Sequence, residues 1–105
     1  MDIVEIPHFS EIIGDYLTDD EYAALQWHLC LKPEAGDTVA GTGGVRKIRW
    51  SVSQRGKRGG LRVIYFYKPN SLEIWMLTIY SKAKKKDLTA IDKSTLKQIV
   101  QEIKR

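Results

Sequence analysis

The sequence predicts an α+β domain with helices packed on a twisted antiparallel sheet. Three observations carry that expectation. Two strand-like alternations flank a basic turn between Val45 and Tyr67, a nearly continuous apolar run follows from Leu72 to Tyr80, and helix-period patterns stand on either side of these strands. With 105 residues and 43% hydrophobic content, residues 1–105 form a single unit large enough for one core.

Asp2-Ile-Val-Glu-Ile-Pro7 reads as a first strand, and Pro7 stops its ladder or confines it to an edge. Ser10 is a candidate cap for a short helix through Leu17, with Ile12, Ile13 and Tyr16 on one face. Thr18-Asp19-Asp20-Glu21 has the form of a capping box, and Leu17 with Tyr22 stands at the spacing of a hydrophobic staple. A second helix therefore starts there, directs Tyr22, Leu25 and Leu29 to the core, and ends before Pro33. The glycine-rich segment up to Gly44 is a loop. It lacks the Lys-Ser/Thr ending of a phosphate-binding loop, and no helix pattern follows it.

In the next strand Ile48, Trp50 and Val52 point one way, and Lys47 and Arg49 the other. Residues Ser53 to Gly60 turn the chain into Leu61-Arg-Val-Ile-Tyr-Phe-Tyr67, and Pro69-Asn70 turns it again. The run Leu72 to Tyr80 is apolar on both parities, as in a central strand covered on both faces. A basic linker, Lys82 to Lys86, precedes a C-terminal amphipathic helix marked by Ile91, Leu96, Ile99, Val100 and Ile103.

The net charge of +4 conceals a division along the chain. Residues 1–45 carry −8, residues 46–86 carry +11, and the remainder +1. Between Arg46 and Lys68 there are eight basic residues and no acidic one. A ribbon of that kind suits a polyanion, because each cation displaces counterions from a phosphate. A solvated basic hairpin without a ligand is the alternative. Cys30 is the only cysteine, so an internal disulfide and a thiolate zinc site are excluded and a reducing cytoplasm is expected. No signal-like leader and no apolar run of about 20 residues is present, so no membrane association is expected.

Lys47 and Arg49, two apart on a strand, emerge from one face roughly 7 Å apart. If Arg62 on the next strand and Lys82 after the third join them, the resulting pocket holds a scissile phosphate and stabilises the added charge of its transition state. RNA brings its own nucleophile, the 2′-hydroxyl, so such a site needs neither metal nor cofactor. A lysine among cations gives up its proton more readily and can act as base, whereas arginine remains charged. Tyr65, Tyr67 or Tyr80 either stacks on a base or packs in the sheet. His8, after Pro7, and His28, on the second helix, could form an acid/base pair for ribonuclease chemistry, although both lie in the acidic half of the chain.

The runs Gly41-Thr-Gly-Gly-Val-Arg-Lys-Ile-Arg49, Gly56-Lys-Arg-Gly-Gly-Leu-Arg-Val-Ile-Tyr65 and Leu77-Thr-Ile-Tyr-Ser-Lys82, the last followed by lysines and Asp87-Leu88, resemble the HigB branch of the RelE/ParE toxin superfamily. The resemblance spans nearly the whole chain. It implies a RelE-like fold and a type II toxin, a ribosome-dependent endoribonuclease that cuts mRNA without metal and is neutralised by an antitoxin with a helix-turn-helix domain, similar to HigA. It carries basic positions over onto Lys47, Arg49 and Arg62 in the sheet and onto Lys82 and Lys84 after the last strand; the chemistry of the residues, more than the likeness, then makes Lys47, Arg62 and Lys82 the catalytic candidates and Arg49, Lys57, Arg58, Lys84 and Tyr80 the RNA contacts. The C-terminal tyrosine of RelE proper has no counterpart here, where the region reads Asp87-Leu88-Thr89. A non-catalytic RNA-binding or ribosome-associated module is the second expectation.

Overall fold

A computed structural model describes residues 1–52 and 60–105. In chain order the strands are β1 (Asp2–Glu5), β2 (Asp37–Thr38), β3 (Arg46–Trp50), β4 (Leu61–Lys68) and β5 (Glu73–Ser81). The helices are α1 (Pro7–Ile12), α2 (Asp19–Leu31) and α3 (Ala90–Lys104). One five-stranded sheet has the order β1-β5-β4-β3-β2.

The meander β3-β4-β5 is antiparallel as expected, and a two-residue strand before it, β2, extends the antiparallel part. The first strand departs from the expectation of a wholly antiparallel sheet, because β1 lies parallel to β5. The two helices between β1 and the meander return the chain to the far side of the sheet, which makes the parallel pairing possible. The first helix also starts earlier than the Ser10 cap implied. Pro7 occupies its first turn, where a missing N–H costs nothing, and the Ser10 hydroxyl donates instead to Glu5 Oε1 at 2.6 Å.

Two caps follow the sequence closely. At α2 the Glu21 N–H donates to Thr18 Oγ1 while Glu21 Oε1 accepts from the Thr18 N–H. At α3, Thr89 and Asp92 form the same reciprocal pair. Each cap satisfies backbone donors that the first turn leaves free.

The sheet is covered on both faces. On one, α1, α2 and the link between them bring Phe9, Leu17, Leu25 and Leu29 onto Val63, Tyr65, Ile74, Met76 and Ile79. On the other, α3 brings Leu96, Val100 and Ile103 onto Ile64, Phe66, Leu77 and Tyr80. Ile91, expected on the buried stripe of this helix, is exposed instead, since five residues before Leu96 and nine before Val100 it turns to the opposite side of the helix. Between Ile64 and Tyr65 the register with β5 slips, leaving Leu77 as an extra residue. After this bulge Ile79 lines up with Met76, and Tyr80 with Leu77, on their respective faces.

Tyr65 ties the Gly36 loop to the sheet. Its hydroxyl accepts from the buried Gly36 N–H at 2.9 Å and donates to the Pro33 carbonyl at 2.8 Å. Gly36 has no room for a side chain, since a Cβ there would sit 3.0 Å from both the Lys47 carbonyl and the tyrosine ring. Burial pushes the Tyr65 phenol upward, so it stays a neutral donor. Replacing Tyr65→Phe leaves the Gly36 amide unpaired and should lower unfolding free energy by about 1–3 kcal/mol in urea denaturation.

Candidate functional site

The uncovered part of the α3 face carries the candidate site. Cross-strand register places Arg49 opposite Arg62, and Arg62 opposite Tyr80, in one row across β3, β4 and β5. Residues directly opposite share a face with Cβ atoms about 5 Å apart. Lys47 is two residues from Arg49 and so joins that face, opposite Ile64. Lys47, Arg49 and Arg62 therefore converge.

The two arginines are not neutralised. Among the described residues neither Arg49 nor Arg62 meets a carboxylate. Arg62 Nη1 turns back only to the neighbouring Leu61 carbonyl at 3.3 Å. Like charges directly opposite on a sheet disfavour the fold. An anion between them would relieve that repulsion.

Lys47 is differently placed. Its Nζ donates to Asp87 Oδ1 at 3.1 Å. Asp87 is the only carboxylate between Glu73 and Asp92, and sequence reasoning gave it no role in the site. Its signal was that isolation: one acid closing a run of lysines just before the helix cap. The Leu88 N–H and Lys47 hold its carboxyl below the ordinary range. It therefore remains an anion, and the segment after β5 is drawn across the face toward β3.

That segment makes its own turn. Lys82 Nζ donates to the Lys86 carbonyl at 2.8 Å, and the Lys84 and Lys85 amides both donate to the Ser81 carbonyl. Lys82 follows the row's Tyr80 by two residues and is exposed, as is Lys84. Tyr80 itself is 7% exposed, with Lys85 Nζ 5.8 Å from its ring centre. Stacking of Tyr80 on a base would require the segment from Lys82 to Asp87 to move aside. Lys57 and Arg58 lie outside the described residues.

The remaining cations of the ribbon serve the fold. Arg46 donates to the Gly36 carbonyl at 2.7 Å and to the Glu34 carbonyl at 3.2 Å. Lys68 Nζ donates to the Ile103 carbonyl at the end of α3. The histidines are occupied elsewhere, His8 on the Thr78 hydroxyl at 3.1 Å and His28 against the Trp50 ring. Among the described residues no cluster of acidic, histidine or cysteine side chains could hold a metal ion. In the loop before β3, Thr42 is buried, donating to the Val39 carbonyl and accepting from the Val45 amide, which makes that glycine-rich stretch a structural turn.

No family model matches the chain. Among solved structures, the isolated RelE toxin of Escherichia coli superposes with a TM-score of 0.55 over 93% of this chain and 97% of that one, at 12% sequence identity. The fold is RelE-like. Among the described residues, no helix of this RelE-like chain is long and apolar enough to cross a membrane.

The Lys47–Asp87 latch sets a pH dependence. Because the folded state lowers the Asp87 carboxyl, its contribution is complete above the ordinary value near 4 and is lost as pH falls through the folded value. Melting temperature followed from pH 7 to 3 should therefore drop less steeply at the acid end for Asp87→Asn than for the unsubstituted chain.

Proposed function

We infer that the chain is a toxin of the RelE type, in the HigB branch, acting as a ribosome-dependent endoribonuclease on mRNA. The observation that carries this reading is the unneutralised pair Arg49 and Arg62, aligned across two strands beside Lys47 on a RelE-like sheet. A row of cations along the sheet suits a bridging phosphate of an extended RNA strand. Such a phosphate gains charge on two oxygens as the 2′-hydroxyl attacks.

In the mechanism, Arg62 contacts the non-bridging oxygens of the scissile phosphate and stabilises the phosphorane. Arg49 holds the same phosphate from the neighbouring strand, fixing the nucleophile in line. Lys47 accepts the 2′-hydroxyl proton, which requires it to leave Asp87 and give up a proton first. Lys82, on the exposed turn, reaches the departing 5′-oxygen and donates to it. Lys57, Arg58 and Lys84 grip RNA around the site, and Tyr80 backs it from the sheet. The step needs no metal and no cofactor. The partners are the ribosome with its mRNA, and an antitoxin carrying a helix-turn-helix domain, in a cytoplasmic setting.

Removing one preorganised charge from a phosphoryl site costs roughly 10²–10³ in rate. Arg62→Ala should lose that much mRNA cleavage on ribosomes programmed with a defined message, with an unchanged circular dichroism spectrum. Wild-type cleavage by the folded variant would remove Arg62 from the mechanism.

A second reading, a ribosome- or RNA-binding module without chemistry, draws support from the engagement of Lys47 by Asp87. It predicts salt-dependent RNA binding with no new message ends. Mapping 5′ ends of cellular mRNA after expression separates the two: cleaved ends within reading frames favour the nuclease, and their absence alongside ribosome association favours the binding module.

A further inference from the structure

Helix α2 is apolar on both of its sides. Tyr22, Leu25 and Leu29 face the sheet and join the core. On the outer side Ala23, Ala24, Trp27 and Leu31 are all exposed, Trp27 at 69% and Leu31 at 63%. With about 3.6 residues per turn, Asp20, Ala24, Trp27 and Leu31 fall in one line along the helix. The steps between them alternate four, three and four residues. That spacing is the seam along which a second helix packs, each large side chain entering a hole in its neighbour. Two large apolar side chains one turn apart on a single line are not the scattered exposure of an ordinary surface.

Charge is arranged around the seam in the manner of an interface. From Tyr22 to Leu31 there is no Asp, Glu, Lys or Arg, and a tryptophan stands in the middle of that stretch. The one titratable group within it, His28, is taken up against the Trp50 ring. At the N-terminal end the rim is acidic. Asp19 and Asp20 stand in the first turn of α2, and Glu11 and Asp15 on the preceding helical segment, whose Phe9 ring packs on Tyr22. Among the described residues none of these four carboxylates meets a cation.

We propose that the outer face of α2 docks a helix of a partner protein, one that is apolar along a stripe and basic on the flanks of that stripe. The occupant is a helix because the exposed line follows the step of helix on helix. Its flanks are basic because the unpaired carboxylates beside Asp20 favour cations and repel acids. A large apolar side chain of the partner sits over Ala23 and Ala24, and Trp27 enters a hole between its small ones. A second copy of the chain fits poorly, since two segments that each carry −8 over residues 1–45 would meet. Nucleic acid is repelled for the same reason. The inference goes beyond the proposed activity and stands whether or not the chain cuts RNA, because α2 lies on the face of the sheet opposite to the Arg49 and Arg62 row.

The test places a photo-crosslinking benzoylphenylalanine at position 23 of the full chain, at the edge of the seam. The chain also carries Arg62→Ala, so that toxicity does not limit its expression in the organism's own cells. The adduct should join a protein whose crosslinked segment is helical, with apolar residues at three- and four-residue steps and Lys or Arg beside them. That segment, made as a synthetic peptide, is then titrated into the isotope-labelled chain. It should gain helix by circular dichroism and shift the amides from Asp20 to Leu31. Trp27→Ala should weaken binding about 30-fold or more, as loss of a central aromatic does, with the melting temperature of the free chain unchanged. Asp20→Asn should weaken it about two- to fivefold and flatten its salt dependence. No protein adduct, an acidic or extended crosslinked segment, adducts joining two copies of the chain, or undiminished binding by Trp27→Ala would each overturn the proposal.

Discussion

The site depends on the burial of β4 from Val63 to Phe66 on both faces of the sheet. A slip of one residue in either neighbour would carry apolar side chains into solvent and charges into a core, so the register is fixed by the hydrophobic content of both layers. That lock sets Arg62 against Arg49 on one side and against Tyr80 on the other. Packing around the pair thus holds two like charges opposite each other.

Among the cations of the ribbon, burial and partners separate two kinds. Arg46 and Lys68 are spent on carbonyls that close the Gly36 loop and the end of α3. Lys104 reinforces the second of these junctions, donating to the Gly43 carbonyl and lying over Phe66. Arg49 and Arg62 have no such duty. Strand parity set Lys47 and Arg49 apart in the sequence, but it did not show that Arg46 and Lys68 would be taken up by carbonyls. The distinction is one of tertiary position, which decides whether a guanidinium meets a carbonyl or open solvent.

The fold was largely legible because its signals are local. The Thr18 and Thr89 caps, the alternation of Lys47, Ile48, Arg49 and Trp50, and the two-sided apolar run of β5 each follow from a few neighbouring residues. The parallel seat of β1 was not legible, since strand direction depends on where two helices deliver the chain. Nor was the two-residue β2, too short to carry a period. In the candidate site, the shared face of Lys47 and Arg49 could be read from spacing, and the structure adds Arg62 through register. Asp87 escaped because its role rests on a contact 40 residues away in the chain. The burial of Tyr80 could be read from the same two-sided run, but the bulge that sets which face it takes leaves no mark in composition.

That bulge has a consequence for how the chain tolerates change. Leu77 and Tyr80 lie on one face though they stand three positions apart, an odd step, and so do Met76 and Ile79 on the other. The extra residue acts as a frame correction: everything after it, including the tyrosine and the lysine turn, keeps its facing only while the count is odd. Excising a single residue there would invert the inside and outside of the strand's end, a lesion that no side-chain replacement in β5 can match.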